Sequence, residues 1–161
     1  MENINTILIS PYSKKLISGQ RNPKNYPYWN ELVKSLNKYD VIQIGVKGEE
    51  KIKGVKTFKQ DLPLVSIKKL IEDCVIWISS DNFLPHLAHH IRKPGVVIFG
   101  VSDPDIFGYP ENLNILKDRK YLRENQFLMY DDCIYNSKVF LKADIISNEI
   151  KKLIPVVIKN K

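Results

Sequence analysis

Residues 75–104, VIWISSDNFLPHLAHHIRKPGVVIFGVSDP, hold two apolar runs parted by an acidic turn and a short helical stretch. The first run, Val75–Ser79, is almost wholly apolar, so a strand there needs cover on both faces. Strands of that kind belong to parallel sheets with helices above and below. A short helix is predicted over Pro85–Ile91 and a second buried strand over Gly95–Phe99. Together these make a βαβ unit, whose right-handed crossover limits the topology to a few choices. Two polar turns then lie side by side at the carboxyl ends of neighbouring strands. In open α/β sheets that edge is where ligands bind.

The rest of the chain fits the same plan. Thr6–Ser10 is a first strand stopped by Pro11, and a polar loop runs from Tyr12 to Tyr26. Pro27 opens a helix whose apolar positions Trp29, Leu32, Val33 and Leu36 follow helical spacing. Asp40–Gly45 is a second strand, and a weaker third strand is expected near Val55–Phe58. Leu64–Asp73 is amphipathic, with Val65, Ile67, Leu70 and Ile71 as its inward face. Asn112–Leu116 offers a possible sixth strand, and Gln126–Met129 another short one within an aperiodic stretch. Ala143–Leu153 reads as a closing helix with Ile145, Ile146, Ile150 and Leu153 apolar. The expected fold is α/β: one Rossmann-like domain over residues 1–161, with a parallel sheet in the order 3-2-1-4-5 plus the possible sixth strand.

Composition narrows the partners. Hydrophobic residues make up 43% and charged residues 27%, a globular balance. The net charge of +7 favours anionic ligands. The lysines are spread along the chain, as an AT-rich genome would also produce, so a nucleic-acid groove is not expected. The two cysteines, Cys74 and Cys133, show neither zinc spacing nor a disulfide framework. The start, MENINTILIS, lacks the pattern of a secretory signal, and no apolar run approaches membrane-spanning length. A cytoplasmic location is therefore expected.

Asp81, in the turn Ser79-Ser80-Asp81, either caps the next helix or contacts a ligand. That helix would present its positive end to a phosphate. His86 should hydrogen-bond near this turn. His89 and His90 share its helix, but no glutamate supports a metal site, and no metal is expected. Lys14, Lys15, Arg21 and Lys24 occupy the loop after the first strand. They either clamp a pyrophosphate or form a solvated basic surface. Glu49 and Glu50 follow the second strand, where they either meet a ribose hydroxyl or stand as surface acids; no GxGxxG precedes them, so a Rossmann dinucleotide site is not expected. Ser102 and Asp103 follow the fifth strand, as ligand contacts or as a tight Asx turn. Gly100 there would let a ligand approach the backbone closely. No nucleophile–base pair is evident.

These residues, in this order, resemble the C-terminal domain of the family 9 glycosyltransferases, the ADP-heptose:lipopolysaccharide heptosyltransferases and their relatives. The resemblance covers roughly residues 5–110. It rests on Lys24-Asn25-Tyr26-Pro27 (Lys-x-aromatic-Pro in the family) and on Gly45-x-x-x-Glu49. It rests also on Asp81-Asn82-Phe83-x-x-His86-Leu87 and on Phe99-Gly100-Val101-Ser102-Asp103-Pro104. The family fold is GT-B, two Rossmann-like domains facing across a cleft, with the nucleotide-sugar donor held by the C-terminal one. By resemblance Lys24 meets the donor phosphates and Glu49 the ribose. Asp81 meets the sugar or the phosphate-binding turn, which His86 supports. Asn82, Ser102 and Asp103 complete the implied donor site.

Two departures stand out. The family has Ser/Thr-Gly where this chain has Asn82-Phe83, and a Phe side chain there would block or reshape the phosphate site. The acceptor-binding domain, which carries the general base, has no counterpart in these 161 residues. The resemblance thus implies a donor-binding half, using a nucleotide sugar as substrate without a further cofactor. A partner chain or a second copy would complete the cleft. The competing expectation is a degenerate module kept as an interaction surface.

Overall fold

The computed structural model describes residues 5–160. Its centre is a six-stranded parallel sheet in the order β3-β2-β1-β4-β5-β6. The strands are β1 (Thr6–Ser10), β2 (Asp40–Gly45), β3 (Thr57–Gln60), β4 (Ile76–Ser80), β5 (Val96–Ile98) and β6 (Leu113–Ile115). The helices are α1 (Trp29–Ser35), α2 (Leu64–Asp73), α3 (Leu84–His90), α4 (Pro104–Phe107) and α5 (Ala143–Lys159). The α/β class, the strand order and the sixth strand all agree with the sequence.

Alternation along each strand builds two cores, one per face. Ile7 and Ile9 of β1, Ile76 and Ile78 of β4, and Val96 and Ile98 of β5 point to one side. There they meet Trp29, Leu32 and Val33 of α1 and Ile146, Ile150 and Ile154 of α5. Leu8, Trp77 and Val97 point to the other side, against Ile67 and Ile71 of α2 and Leu84 and Ala88 of α3. Both β1 and β4 are buried along their whole length. Cys74 is buried in the second core.

Several expectations shift. α1 starts at Trp29, two residues past Pro27. β3 lies at Thr57–Gln60, so Val55 enters the core from the preceding turn rather than from a strand. Val65 points outward from α2 and is 72% exposed. Gln126–Met129 forms a turn, not a strand. Ile145 faces solvent, and α5 continues to Lys159 through Pro155. That proline lies on the exposed face of α5, where water can satisfy the carbonyl it leaves unbonded.

Among the described residues no helix is long and apolar enough to cross a membrane.

Candidate functional site

The carboxyl edge of the sheet opens onto a cavity of about 1040 Å³. Its polar floor comes from the loops after β1 and β4. Ser80 Oγ donates to the Pro11 carbonyl at 2.8 Å, and Ser13 Oγ donates to the Asp81 carbonyl at 2.7 Å. The Ser13 N–H in turn donates to Asn25 Oδ1 at 2.8 Å. Two neighbouring strand ends are thereby tied together before any ligand arrives.

Asn82 holds this junction. Its Nδ2 donates to the Ser10 carbonyl at 3.0 Å, to Ser10 Oγ at 2.9 Å and to the Tyr12 carbonyl at 3.1 Å. Its Oδ1 accepts from the Leu84 N–H at 2.9 Å, which starts α3. The α3 N-cap position is Phe83, which makes no side-chain cap bond. Asp81 is therefore not the helix cap. Its carboxylate lines the cavity and meets Lys24 Nζ at 3.3 Å, with side-chain exposures of 10% and 20%. Lys24 also lies over the Tyr130 ring, 4.9 Å from its centroid.

Glu49 lines the cavity from the turn after β2. Its Oε2 accepts from the Val46 N–H at 3.0 Å. A Cβ on residue 45 would collide with that carboxylate, so Gly45 makes the room that the Gly-x-x-x-Glu spacing provides. Burial, with help from Asp61, raises the Glu49 carboxyl above its ordinary pKa; the Val46 N–H and Lys15 oppose that rise. Burial likewise raises the Tyr12 phenol, and Glu50 and Glu49 add to it.

The structure brings Lys14, Lys15, Lys24, Glu49, Asp81 and Asn82 to one cavity, with His86 at its margin. Arg21 turns away, its guanidinium 4.2 Å from the Tyr135 ring centroid. His86 Nδ1 hydrogen-bonds Tyr109 Oη at 2.7 Å. His89 stacks on the same tyrosine with ring centroids 3.9 Å apart and bonds Glu111 through Nδ1. Among the described residues no group of three or more His, Cys, Asp or Glu is placed to hold a metal ion.

Ser102 and Asp103 stand outside the cavity. Asp103 caps α4, accepting from the Asp105 N–H at 2.9 Å. Arg119 grips its carboxylate at 2.7 and 3.2 Å. Burial alone would raise that carboxyl; the Asp105 N–H and Arg119 outweigh it and hold the pKa below the ordinary value. Ser102 Oγ lies 2.9 Å from Tyr130 Oη, supporting the ring beneath Lys24. Nor does Gly100 admit a ligand: a Cβ there would strike Phe140 and Val139 in the core.

Sequence reasoning missed the segment 119–135, which folds as a strap over the loop after β1. Gln126 pins it, donating to the carbonyls of Val101 and Arg123 at 2.9 and 2.7 Å and accepting from the Asp103 N–H at 2.9 Å. Arg123 packs over the Tyr130 ring at 4.4 Å, and Tyr135 Oη donates to the Asn25 carbonyl at 3.1 Å. The only trace in sequence was a run of tyrosines and arginines without a period.

No protein-family model and no curated protein matches this sequence. Solved structures match its fold. Escherichia coli ADP-heptose lipopolysaccharide heptosyltransferase II superposes with a TM-score of 0.67 at 18% identity, over 92% of this chain and 46% of that one. E. coli heptosyltransferase WaaC with ADP gives 0.65 at 15% identity, over 92% of this chain and 44% of that one. TibC, a dodecameric iron-containing heptosyltransferase solved in complex with ADP-D-β-D-heptose, gives 0.68 at 18% identity, over 94% of this chain and 45% of that one. At these identities the likeness establishes the fold: this chain has the architecture of a part of those proteins and spans less than half their length.

Proposed function

We propose that this chain is the donor-binding half of a glycosyltransferase-like protein and that its cleft takes a nucleotide sugar. The observation carrying the reading is the Lys24–Asp81 pair, 3.3 Å apart on the floor of a cavity that Glu49 also lines. A half-buried ammonium in such a cleft suits a diphosphate, because charge-assisted contacts strengthen away from water. Asp81 holds the ammonium in place until phosphate oxygens take it over. Glu49, raised in pKa yet still an acceptor, suits ribose hydroxyls. Asn82 shapes the turn, and Ser102 acts through Tyr130. The neighbours that carry ADP or ADP-heptose support the choice of ligand.

In this reading the nucleoside diphosphate is the leaving group, and Lys24 stabilises its developing charge, with no cofactor beyond the donor itself. The hydroxyl that attacks the anomeric carbon needs a general base, which a partner domain or second subunit would bring to the open side. The group transferred is the sugar: its bond to phosphate breaks as the new bond to the acceptor oxygen forms.

Calorimetric titration with ADP tests the proposal. Binding in the micromolar range, about −8 kcal/mol, is expected, with a loss of about tenfold or more in Lys24→Ala, equal to about 1.4 kcal/mol. Equal affinity in wild type and Lys24→Ala would end it. One feature favours the second reading, a non-catalytic interaction module: Phe83 stands at the cavity wall, 45% exposed. A folded protein that binds neither ADP nor a nucleotide sugar would select that alternative.

A further inference from the structure

Lys24 is central to the reading above, yet its own loop fixes only its backbone. From Pro11 to Tyr28 the chain has neither strand nor helix. The Lys24 N–H donates to Asn22 Oδ1 at 2.9 Å, and Asn22 Nδ2 donates to the Lys14 carbonyl at 2.8 Å. The ammonium, however, ends a flexible four-carbon stem. Two groups meet it: the Asp81 carboxylate at 3.3 Å and the Tyr130 ring, whose centroid is 4.9 Å away. The first comes from the sheet edge, the second from the strap.

The Tyr130 ring is itself tied down. It is partly buried and packs against the core. Its Oη lies 2.9 Å from Ser102 Oγ, and Ser102 is buried in the turn after β5. Arg123 lies over the ring at 4.4 Å while donating to the Leu128 and Met129 carbonyls at 2.8 and 2.9 Å. The turn leading into Tyr130 is thereby fixed as well. Neighbouring strap residues hold the Lys24 loop. Asp131 Oδ1 accepts from the Ser18 N–H at 3.3 Å, and Tyr135 Oη donates to the Asn25 carbonyl at 3.1 Å. A continuous chain of contacts runs Ser102–Tyr130–Lys24–Asp81.

The two holds on Lys24 differ in chemistry. A carboxylate neutralises the ammonium and must give way when phosphate oxygens arrive. A ring attracts a cation through its quadrupole and leaves the charge uncancelled. Tyr130 can therefore stay on Lys24 while an anion replaces Asp81. Placement matters here because four lysines and four carboxylates line the cavity. Bulk charge draws no anion to it; one well-placed ammonium does.

We infer that Tyr130 is the positioning residue for Lys24, holding its ammonium where a diphosphate would meet it and making the strap part of the ligand site. The identity of the ligand rests on the donor reading; the Lys24–Tyr130 contact does not.

Two measurements on the full chain test this. The first needs no ligand. Ring currents move protons above an aromatic face upfield. In NMR of protein carrying isotope-labelled lysine, the Lys24 ε-methylene, assigned by its absence in Lys24→Ala, should therefore lie upfield. The displacement should vanish in Tyr130→Leu and persist in Tyr130→Phe, which keeps the ring. The second is calorimetric titration with ADP of wild type, Tyr130→Leu, Lys24→Ala and the double variant. Tyr130→Leu should weaken ADP about fivefold. In the Lys24→Ala background the same change should cost under about twofold, because the side chain to be positioned is gone. A strap that served only as structure would cost the same factor in both backgrounds. Equal factors overturn the inference, and so does an undisplaced Lys24 ε-methylene. ADP binding that Tyr130→Leu leaves unchanged would refute the positioning role and leave the donor reading standing. A wild type that shows the displacement but binds no ADP would refute the donor reading and leave the Lys24–Tyr130 positioning standing.

Discussion

Two acidic turns, one after β4 and one after β5, look alike in sequence and end in opposite employment. Each follows a buried parallel strand, carries serine before aspartate, and precedes a short helix. Each is also held by a side-chain amide. In the first, Asn82 is local and bonds the ends of β1 and the start of α3, which frees the Asp81 carboxylate to face the cavity with Lys24. In the second, the amide arrives from Gln126, and Asp103 itself caps α4 and is gripped by Arg119. An aspartate at the binding edge is thus available only where another group does the structural work. The neighbours of the turn decide this, not the aspartate.

The comparison is tested hardest at Asn82. Asn82→Ala removes four hydrogen bonds at once and leaves the Ser10 and Tyr12 carbonyls without that partner. Unfolding in urea should show a loss of about 3 kcal/mol, and ADP affinity should fall with it, because the floor of the cavity moves. If stability holds while only binding drops, Asn82 is a ligand contact and the contrast fails.

Gln126→Ala comes next. It leaves the Asp103 N–H unpaired and takes from the Val101 carbonyl one of its two donors, the Arg123 N–H remaining, at a cost of about 2 kcal/mol. The effect should concentrate in the strap, read as faster amide hydrogen exchange over 127–135 than in β1 or β4. Uniform acceleration across the sheet would mean that the strap is integral to the core rather than pinned onto it.

Asp103→Ala removes the α4 cap and should lower stability by about 1 kcal/mol, with ADP affinity unchanged. A tenfold loss of ADP binding would return Asp103 to the donor site that the sequence resemblance implied. The sequence already offered Asp103 as an Asx turn, and the structure shows that cap; the Arg119 grip, from a residue 16 positions downstream, was not visible in it.

What was legible follows from burial. β1 and β4 are buried along their length, so their apolar runs announced themselves, and alternating helices then fixed the strand order. Positions exposed on one side were misjudged: Val65 and Ile145 keep helical spacing yet face solvent, because spacing does not say where the stripe ends. The strap was illegible for another reason. Its fixed points Gln126, Tyr130 and Tyr135 act through carbonyls and side chains far away in sequence, and Arg123 ties the tip locally without a regular spacing. Such contacts leave no period. Lys24 and Glu49, picked out by motif, line one cavity, but the reason for Gly45, space for the Glu49 carboxylate, lies in the fold of the turn.

The smallest expected effect separates the two environments by the sign of a pH slope. Glu49 has its pKa raised, chiefly by burial, so its contribution is fully present below the ordinary value of 4.5 and is lost as pH rises through the folded value. Asp103 has its pKa lowered, so its contribution is present above 3.8 and is lost as pH falls through the folded value. Glu49→Gln keeps an oxygen for the Val46 N–H and removes the titration. Thermal midpoints of wild type and Glu49→Gln should differ by a constant offset at acid pH. As pH climbs above 4.5 the variant should gain on wild type, and the gap should then level off. A gap that moves the other way would place Glu49 in a cation-stabilised setting, the setting that Asp103 occupies. The cavity would then be dominated by its lysines even before a ligand binds.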